Sequence, residues 1–381
     1  TRYVSIDTKL YRYHFGRGTS GHGVDSLDRA RFYTSAITAI DAVRPAVDDL
    51  VANEAVLDTD LLVSTYRSAR LSIIGYVCSQ LVEASDAAIL GAALQHLQAV
   101  ASADDVIRAA ARFYPDTLST LRHHVARNGL ERKPARTILL VTATLRTGGV
   151  SAVLAAQARH LRAAGYAVIV VARSGGSVPA AIPSDVVFHE LTSRDLRGQL
   201  REWADICRAH TVDVVIDHQI LYSSSWPEFA LVARAEGAST IGWLHNFVAR
   251  PIYDGTSRLS LIERCSDTLA KLVVLSPLDH AYFSLRGVPH TCYLPNPPSS
   301  LLVDSLRRKQ GKAAPAGRLE LVWWGRLEQH TKRVYDLIDV AVHLRRNKID
   351  FRLRVVGPDW GDITAAKFNA RARRAGVAHH V

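Results

Sequence analysis

TILLVTATLRTGGVSAVLAAQARHLRAAGYAVIVVA, residues 137–172, decides the fold class. It opens on Thr137–Ala143, a short apolar run without alternation, as expected of a strand buried on both faces. Gly148-Gly149 then make a turn, Val150–Ala164 is an Ala/Leu-rich helix ended by Gly165, and Ala167–Ala172 is a second buried strand. The same rhythm continues downstream. Strands are expected at Val186–Leu191, Val212–Ile216, Ser239–Leu244, Lys271–Leu275 and His290–Leu294. Helices are expected between them, including Leu196–His210, Pro227–Gly237 and Ser257–Asp267. Strand and helix alternating through short turns mean an α/β fold with a doubly wound parallel sheet.

Pro295, Pro297 and Pro298 interrupt that rhythm, and Ser299–Arg318 reads as a connector rich in Lys, Arg, Ala and Gly. A second unit follows: strand Leu319–Trp324, helix Val334–Asn347, strand Phe351–Val356, turn Gly357-Pro358-Asp359 and helix Ile363–Ala375. Upstream of the decisive stretch the texture differs. The first 24 residues look irregular, and Asp25 to Asn128 is helical, with Ala36, Ile37, Ile40, Val43 and Val47 at helical spacing. About four or five amphipathic helices fit there, forming a separate α-helical region, and Glu131–Pro134 reads as a linker. The expected divisions are 1–132, 133–300 and 301–381.

Composition bounds the function. The chain has 381 residues, 48% hydrophobic and 22% charged, ordinary for a globular protein of two or three domains. Its longest apolar uncharged run, Leu71–Val82, is short of the roughly 20 residues that span a bilayer, and Thr1–Leu10 has no signal-peptide pattern. Cys78, Cys207, Cys265 and Cys292 are scattered without metal-ligand spacing. They read as reduced packing thiols of a cytoplasmic protein. The net charge of +11 is gathered at Arg122–Arg136, Arg307–Lys312, Arg345–Arg354 and Lys367–Arg374. Part of that charge is solvated helix face. The rest suits nucleotide phosphates or an anionic membrane surface, with peripheral association at its inner face. No basic–aromatic interleaving points to nucleic acid.

Three places carry candidate chemistry. At Leu145–Gly149 a glycine pair, Gly148 and Gly149, between strand and helix lets a ligand approach backbone N–H groups. There is no G-x-G-x-x-G, and the second strand ends in Ala172-Arg173 rather than an acid, so a dinucleotide site is a poor fit. His218 and His245 each follow a buried strand, where open α/β sheets bind ligands, and Asn246 and Asn296 are cleft-lining candidates. The most specific feature is Trp324–Arg333. A buried strand ends at Gly325, Arg326 follows at once, and Lys332 precedes a helix. A guanidinium fork and an ammonium near a helix N-terminus are what a diphosphate leaving group needs as its charge grows.

Together these stretches resemble the family-4 retaining glycosyltransferases of GT-B fold, from about Thr137 to Val381. The resemblance rests on Gly148-Gly149, Arg162–Tyr166, VDVVIDHQ around His218, GWLHN around His245, KLVVLS, LPNPP, GRLEQHTKRVYDLI and LRVVGPD, in that order. It implies two facing Rossmann-like domains, the second incomplete in this chain, preceded by the α-helical region. It also implies a nucleotide-diphosphate sugar as donor substrate and a glycan or lipid-linked hydroxyl as acceptor. Arg326, Lys332 and Gly325 would hold the diphosphate, Gly149 would face donor phosphate and acceptor, and His245 would lie beside the transferred sugar as the catalytic residue. No metal and no cofactor are expected, since the basic pair takes the metal's place. The family's glutamate pair in the second half of its donor domain would fall beyond Val381. The competing reading is a non-catalytic GT-B-like scaffold or partner subunit. An NADP oxidoreductase built on Arg173 lacks the fingerprint.

Overall fold

A computed structural model describes residues 26–53, 58–84, 87–125, 134–145, 148–174, 182–288, 290–298, 317–361 and 363–381. The irregular start, most of the Glu131–Pro134 linker and nearly all of the Ser299–Arg318 connector lie outside the described residues. The chain divides into two compact units, Thr1–Val303 and Asp304–Val381.

The first unit begins with six helices among the described residues: α1 (Ser26–Asp41), α2 (Arg44–Ala52), α3 (Thr59–Ala84), α4 (Ala87–Val100), α5 (Ala103–Phe113) and α6 (Pro115–Val125). That is more than the periodicity suggests, because proline splits what it reads as continuous. Pro45 sits in the first turn of α2 and Pro115 opens α6, positions where the missing N–H costs nothing. No helix among the described residues is long and apolar enough to cross a membrane.

The sheet follows as β1 (Thr137–Thr142), α7 (Gly149–Ala163), β2 (Ala167–Ala172), β3 (Val187–Glu190), α8 (Leu196–Ala209), β4 (Val214–Asp217), α9 (Trp226–Ala235) and β5 (Ser239–Trp243). It continues through α10 (Arg250–Tyr253), α11 (Arg258–Cys265), β6 (Lys271–Val274), α12 (Pro277–Leu285) and β7 (Thr291–Tyr293). The seven strands lie in the order β3-β2-β1-β4-β5-β6-β7 and every neighbouring pair is parallel. The winding reverses between β1 and β4, so the connections leaving those two strands diverge and open a crevice at their carboxyl ends. The boundaries shift slightly from the sequence reading. β4 starts at Val214, and just before it the Asp213 carboxylate accepts the Arg136 and Thr137 N–H groups at 2.8 and 3.0 Å.

The helical region is not a body of its own. One apolar core runs from Ile37, Ile74 and Leu97 through Ile107 and Ala110 to Leu139, Trp203 and Phe229. α5 is the join, with Ala103, Val106, Ile107, Ala109, Ala110 and Ala111 all buried. Small side chains let it lie close against α8 and α9. It is tied by charge as well, from its middle and from its C-terminal end. Arg108 reaches the Ala235 carbonyl and the buried Glu236 at the C-terminus of α9, and Arg197 of α8 donates to the Arg112 carbonyl of α5 at 3.0 Å. Guanidinium groups at helix C-termini satisfy carbonyls that have no partner within the helix. All four cysteines are unpaired, and burial pushes the Cys78 and Cys207 thiols up to about 12.

The second unit has β8 (Leu319–Trp324), α13 (Asp336–Arg346), β9 (Phe351–Val356) and α14 (Ala365–Arg374). β8 and β9 pair in parallel in a sheet of their own. Its core gathers Leu327, Val334, Ile338, Phe351, Leu353, Ile363 and Phe368.

The continuous core of the first unit makes a definite prediction. Ile107→Ala is expected to cost about 2–5 kcal/mol and to lower a single unfolding transition in which helices and sheet melt together. Circular dichroism with limited proteolysis measures this. Release of residues 26–125 with the sheet still protected would show two separate cores.

Candidate functional site

At the crevice of the first unit the strand register brings chemistry together. Thr142 of β1 pairs with Ala172 of β2, Val141 with Asp217 of β4, and Asp217 with Gly242 of β5. The residues just past these pairs therefore share one edge: Arg173, Asp217, His218, Gln219, Trp243 and His245. The ladder runs on beyond the strands proper, with Arg173 N donating to Thr142 O and His218 N to Val141 O.

His218 is fully buried and His245 partly so. Nδ1 of His218 lies 2.7 Å from Nε2 of His245, a direct hydrogen bond between imidazoles. Burial holds the His218 ring well below the usual imidazole range, with His245 adding to the effect, and burial draws His245 down to about 4. Both rings are therefore neutral at neutral pH. His245 is held on either side. Leu244, fully buried, donates its N–H to Val273 O at 2.9 Å. Val248 N donates to Asp279 Oδ1 at 2.9 Å, and Ser276 Oγ donates to the other oxygen of that carboxylate. Asn246 Oδ1 accepts from the neighbouring Phe247 N–H at 3.1 Å. Asn296 is exposed and accepts from Trp243 Nε1 at 3.1 Å, tying the LPNPP segment to β5.

Beside the histidines is a buried ion pair that motif reading passes over. Arg173 stacks on the Phe229 ring at 3.8 Å, donates to Ser223 Oγ at 2.8 Å and faces Asp217 at 3.5 Å. Burial lowers the Arg173 guanidinium and raises the Asp217 carboxyl, and each charge opposes the shift of the other. The signal was present in the sequence as an arginine and an aspartate closing two buried strands. At the other lip, Gly148 caps α7 in extended geometry and Gly149 begins it. A Cβ built on Gly149 meets nothing within 4 Å, and its backbone does not need positive φ. Neither packing nor conformation accounts for glycine there, whereas close approach of a ligand to the helix N-terminus would.

In the second unit the turn after β8 is set by a close approach. Gly325 N donates to Val356 O at 3.0 Å, and a Cβ on Gly357 would overlap the Gly325 carbonyl, so glycine is obligatory at 357. Leu327 then bridges to Asp359 and is buried in the core. Arg326 lies over the Trp360 indole at 4.4 Å, with its Nη2 3.5 Å from Glu328. Its side chain remains 45% exposed, leaving donors for a ligand. Gln329 pins the rest of the turn, accepting from Tyr335 N and donating to Asp336. Lys332 is exposed on that turn.

The helix that follows Lys332, α13, carries Asp336 and Asp339 in its first turn, and hydrogen bonds from Gln329 and Arg333 hold the Asp336 carboxyl below the usual range. Among the described residues no three His, Cys, Asp or Glu side chains are grouped so as to hold a metal.

No protein-family model matches the chain and no curated protein does. Several solved structures are similar in shape. The Anabaena protein HepE in complex with UDP-glucose aligns over 64% of this chain and 67% of its own, at 15% identity and a TM-score of 0.47. A glycosyltransferase from Rickettsia africae aligns over 64% and 65%, at 16% identity and a TM-score of 0.42. A Listeria monocytogenes protein described as a UDP-N-acetylglucosamine 2-epimerase aligns over 64% and 67%, at 12% identity and a TM-score of 0.41. Likeness at this level carries neither activity nor substrate from those proteins to this one.

Proposed function

We propose that the protein is a nucleotide-sugar-dependent glycosyltransferase of GT-B type that transfers a hexose with retention to a hydroxyl of a glycan or lipid-linked acceptor. The observation that carries this reading is the Gly325–Lys332 turn. There a guanidinium is shelved on an indole face at the end of a strand, half exposed, with one long ionic contact of its own. Stacking fixes the plane of the fork and leaves its edge for two phosphate oxygens. Gly149 and the first turn of α7 offer backbone donors to an anion or a hydroxyl, and His245 offers a neutral imidazole. In the reaction the C1–O bond to the diphosphate breaks and the acceptor oxygen bonds to C1 on the same face. The acceptor proton passes to the leaving phosphate. The basic surface would draw the enzyme to an anionic membrane face. The scaffold reading shares the fold but demands no donor binding, and that is where the two part.

Two results are expected. Arg326→Ala weakens UDP and UDP-sugar binding and lowers turnover roughly 30- to 1,000-fold, the scale of losing a charge-assisted contact of about 2–4 kcal/mol. Arg326→Lys restores it only in part, because it loses both the fork and the stack on Trp360. Lys332→Ala acts in the same direction, with a less than additive double change if both grip one diphosphate. Calorimetry and turnover are measured with EDTA present. Single variants that bind donor like wild type, or activity abolished by EDTA, would sink the assignment and favour the scaffold. Gly149→Ala separates ligand approach from packing: thermal stability is unchanged or slightly raised, since the added methyl enters open space, while turnover falls. Equal turnover in the two proteins would remove Gly149 from the site.

A further inference from the structure

The hydrogen bond between His218 and His245 can be made in two ways, and they give His245 opposite chemistry. In the first, Nδ1–H of His218 donates to Nε2 of His245. Nε2 of His218 is then a bare nitrogen, and His245 carries its own proton on Nδ1. In the second, Nε2–H of His245 donates to Nδ1 of His218. His218 must then carry its proton on Nε2, and Nδ1 of His245 is left as a base. The surroundings choose between them. Nε2 of His218 is buried and has no hydrogen-bond partner among the described residues. The second arrangement places an N–H at that point with no acceptor, and orphaned buried N–H groups are rarer than under-used acceptors. Among the described residues no partner is found for Nδ1 of His245, so that atom is the one left to meet a ligand.

We infer that His218 is a positioning residue whose Nδ1–H donates to Nε2 of His245, so that His245 presents a ligand with an Nδ1–H donor and no proton acceptor. The tautomer of an imidazole is set by the bond its other nitrogen makes. The ligand atom this selects is an oxygen lone pair, such as a sugar hydroxyl or a phosphoryl oxygen. A proton to be abstracted finds no base there. His245 thus holds and orients, and the acceptor proton must leave by another route. Naming the ligand as a sugar nucleotide or glycan rests on the function proposed above; the tautomer does not.

The experiment therefore has two arms. In the first, the full-length protein is labelled with ¹⁵N-histidine, and long-range proton–nitrogen correlation is recorded at neutral pH without ligand. His218→Asn and His245→Asn assign the two rings. The expected spectrum shows His218 and His245 both protonated on Nδ1 and bare on Nε2. In His218→Leu the His245 ring reverts to a mixture of tautomers. In His218→Asn, whose amide can donate from near the old Nδ1 position, it stays on Nδ1–H. A wild-type His245 protonated on Nε2, or a His245 signature indifferent to His218→Leu, overturns the inference. Should His218→Leu not fold, the wild-type spectrum and His218→Asn still decide it. In the second arm, transfer from UDP-sugars is assayed. His218→Leu lowers turnover about ten- to a hundredfold, the scale on which the orienting partner of an imidazole acts, while donor KM changes little. His218→Asn recovers part of the loss. A His218→Leu enzyme with wild-type turnover overturns the positioning role. Absence of transfer from any sugar nucleotide counts against the proposed function and leaves the tautomer to the first arm.

Discussion

The reversal of strand order between β1 and β4 is the constraint on which the rest of the first unit depends. Side by side in register, these two strands send their chains away in opposite directions. The backbone leaving β1 rises to the glycine pair and α7, while that leaving β4 tightens at once into the Asp217–Gln219 turn, where Gln219 N donates back to the Asp217 carboxylate at 2.6 Å. With the two connections parted, polar side chains can gather at an edge that would otherwise be covered. That edge pairs its polar groups with one another, a histidine against a histidine and an arginine against an aspartate and an aromatic ring, while Nε2 of His218 stays without a partner among the described residues. Buried charge is tolerated only where such partners exist.

Much of this architecture is legible in the sequence. β1 and β2 were legible as short apolar runs between turn residues; β2, β8 and β9 end at the residues expected of them, and β1 stops one residue earlier, at Thr142. α12 is one of the helices expected between strands, and its start carries a local signal: Ser276-Pro277 opens it, and the Ser276 hydroxyl accepts from Asp279 N as a helix cap does. The union of the helical region with the sheet was not legible in principle. The Ala-rich sequence of α5 is equally that of a helix in a free-standing bundle, and only tertiary packing shows that two of its neighbours are α8 and α9.

The candidate site divides in the same way. Strand-end position singled out His218 and His245 separately. Their direct bond depends on β4 and β5 pairing Asp217 with Gly242, a register that no local pattern specifies. Arg326 could be chosen from its own neighbourhood, but Trp360 beneath it arrives from beyond β9, and Glu328 beside it was read only as part of a motif. The acidic start of α13 was in plain view as Asp336 and Asp339.

α9 ties these observations together mechanically. It is a ten-residue rod, buried along nearly its whole length. One end is clasped by Arg108 of the helical region. Near the other, Phe229 supports the Arg173 guanidinium on its ring and accepts the Trp203 indole N–H on its carbonyl. The polar edge of the sheet and the N-terminal helices are thus joined through one buried helix, so a change in how α9 packs reaches both the Arg108 contact and the ring on which Arg173 rests.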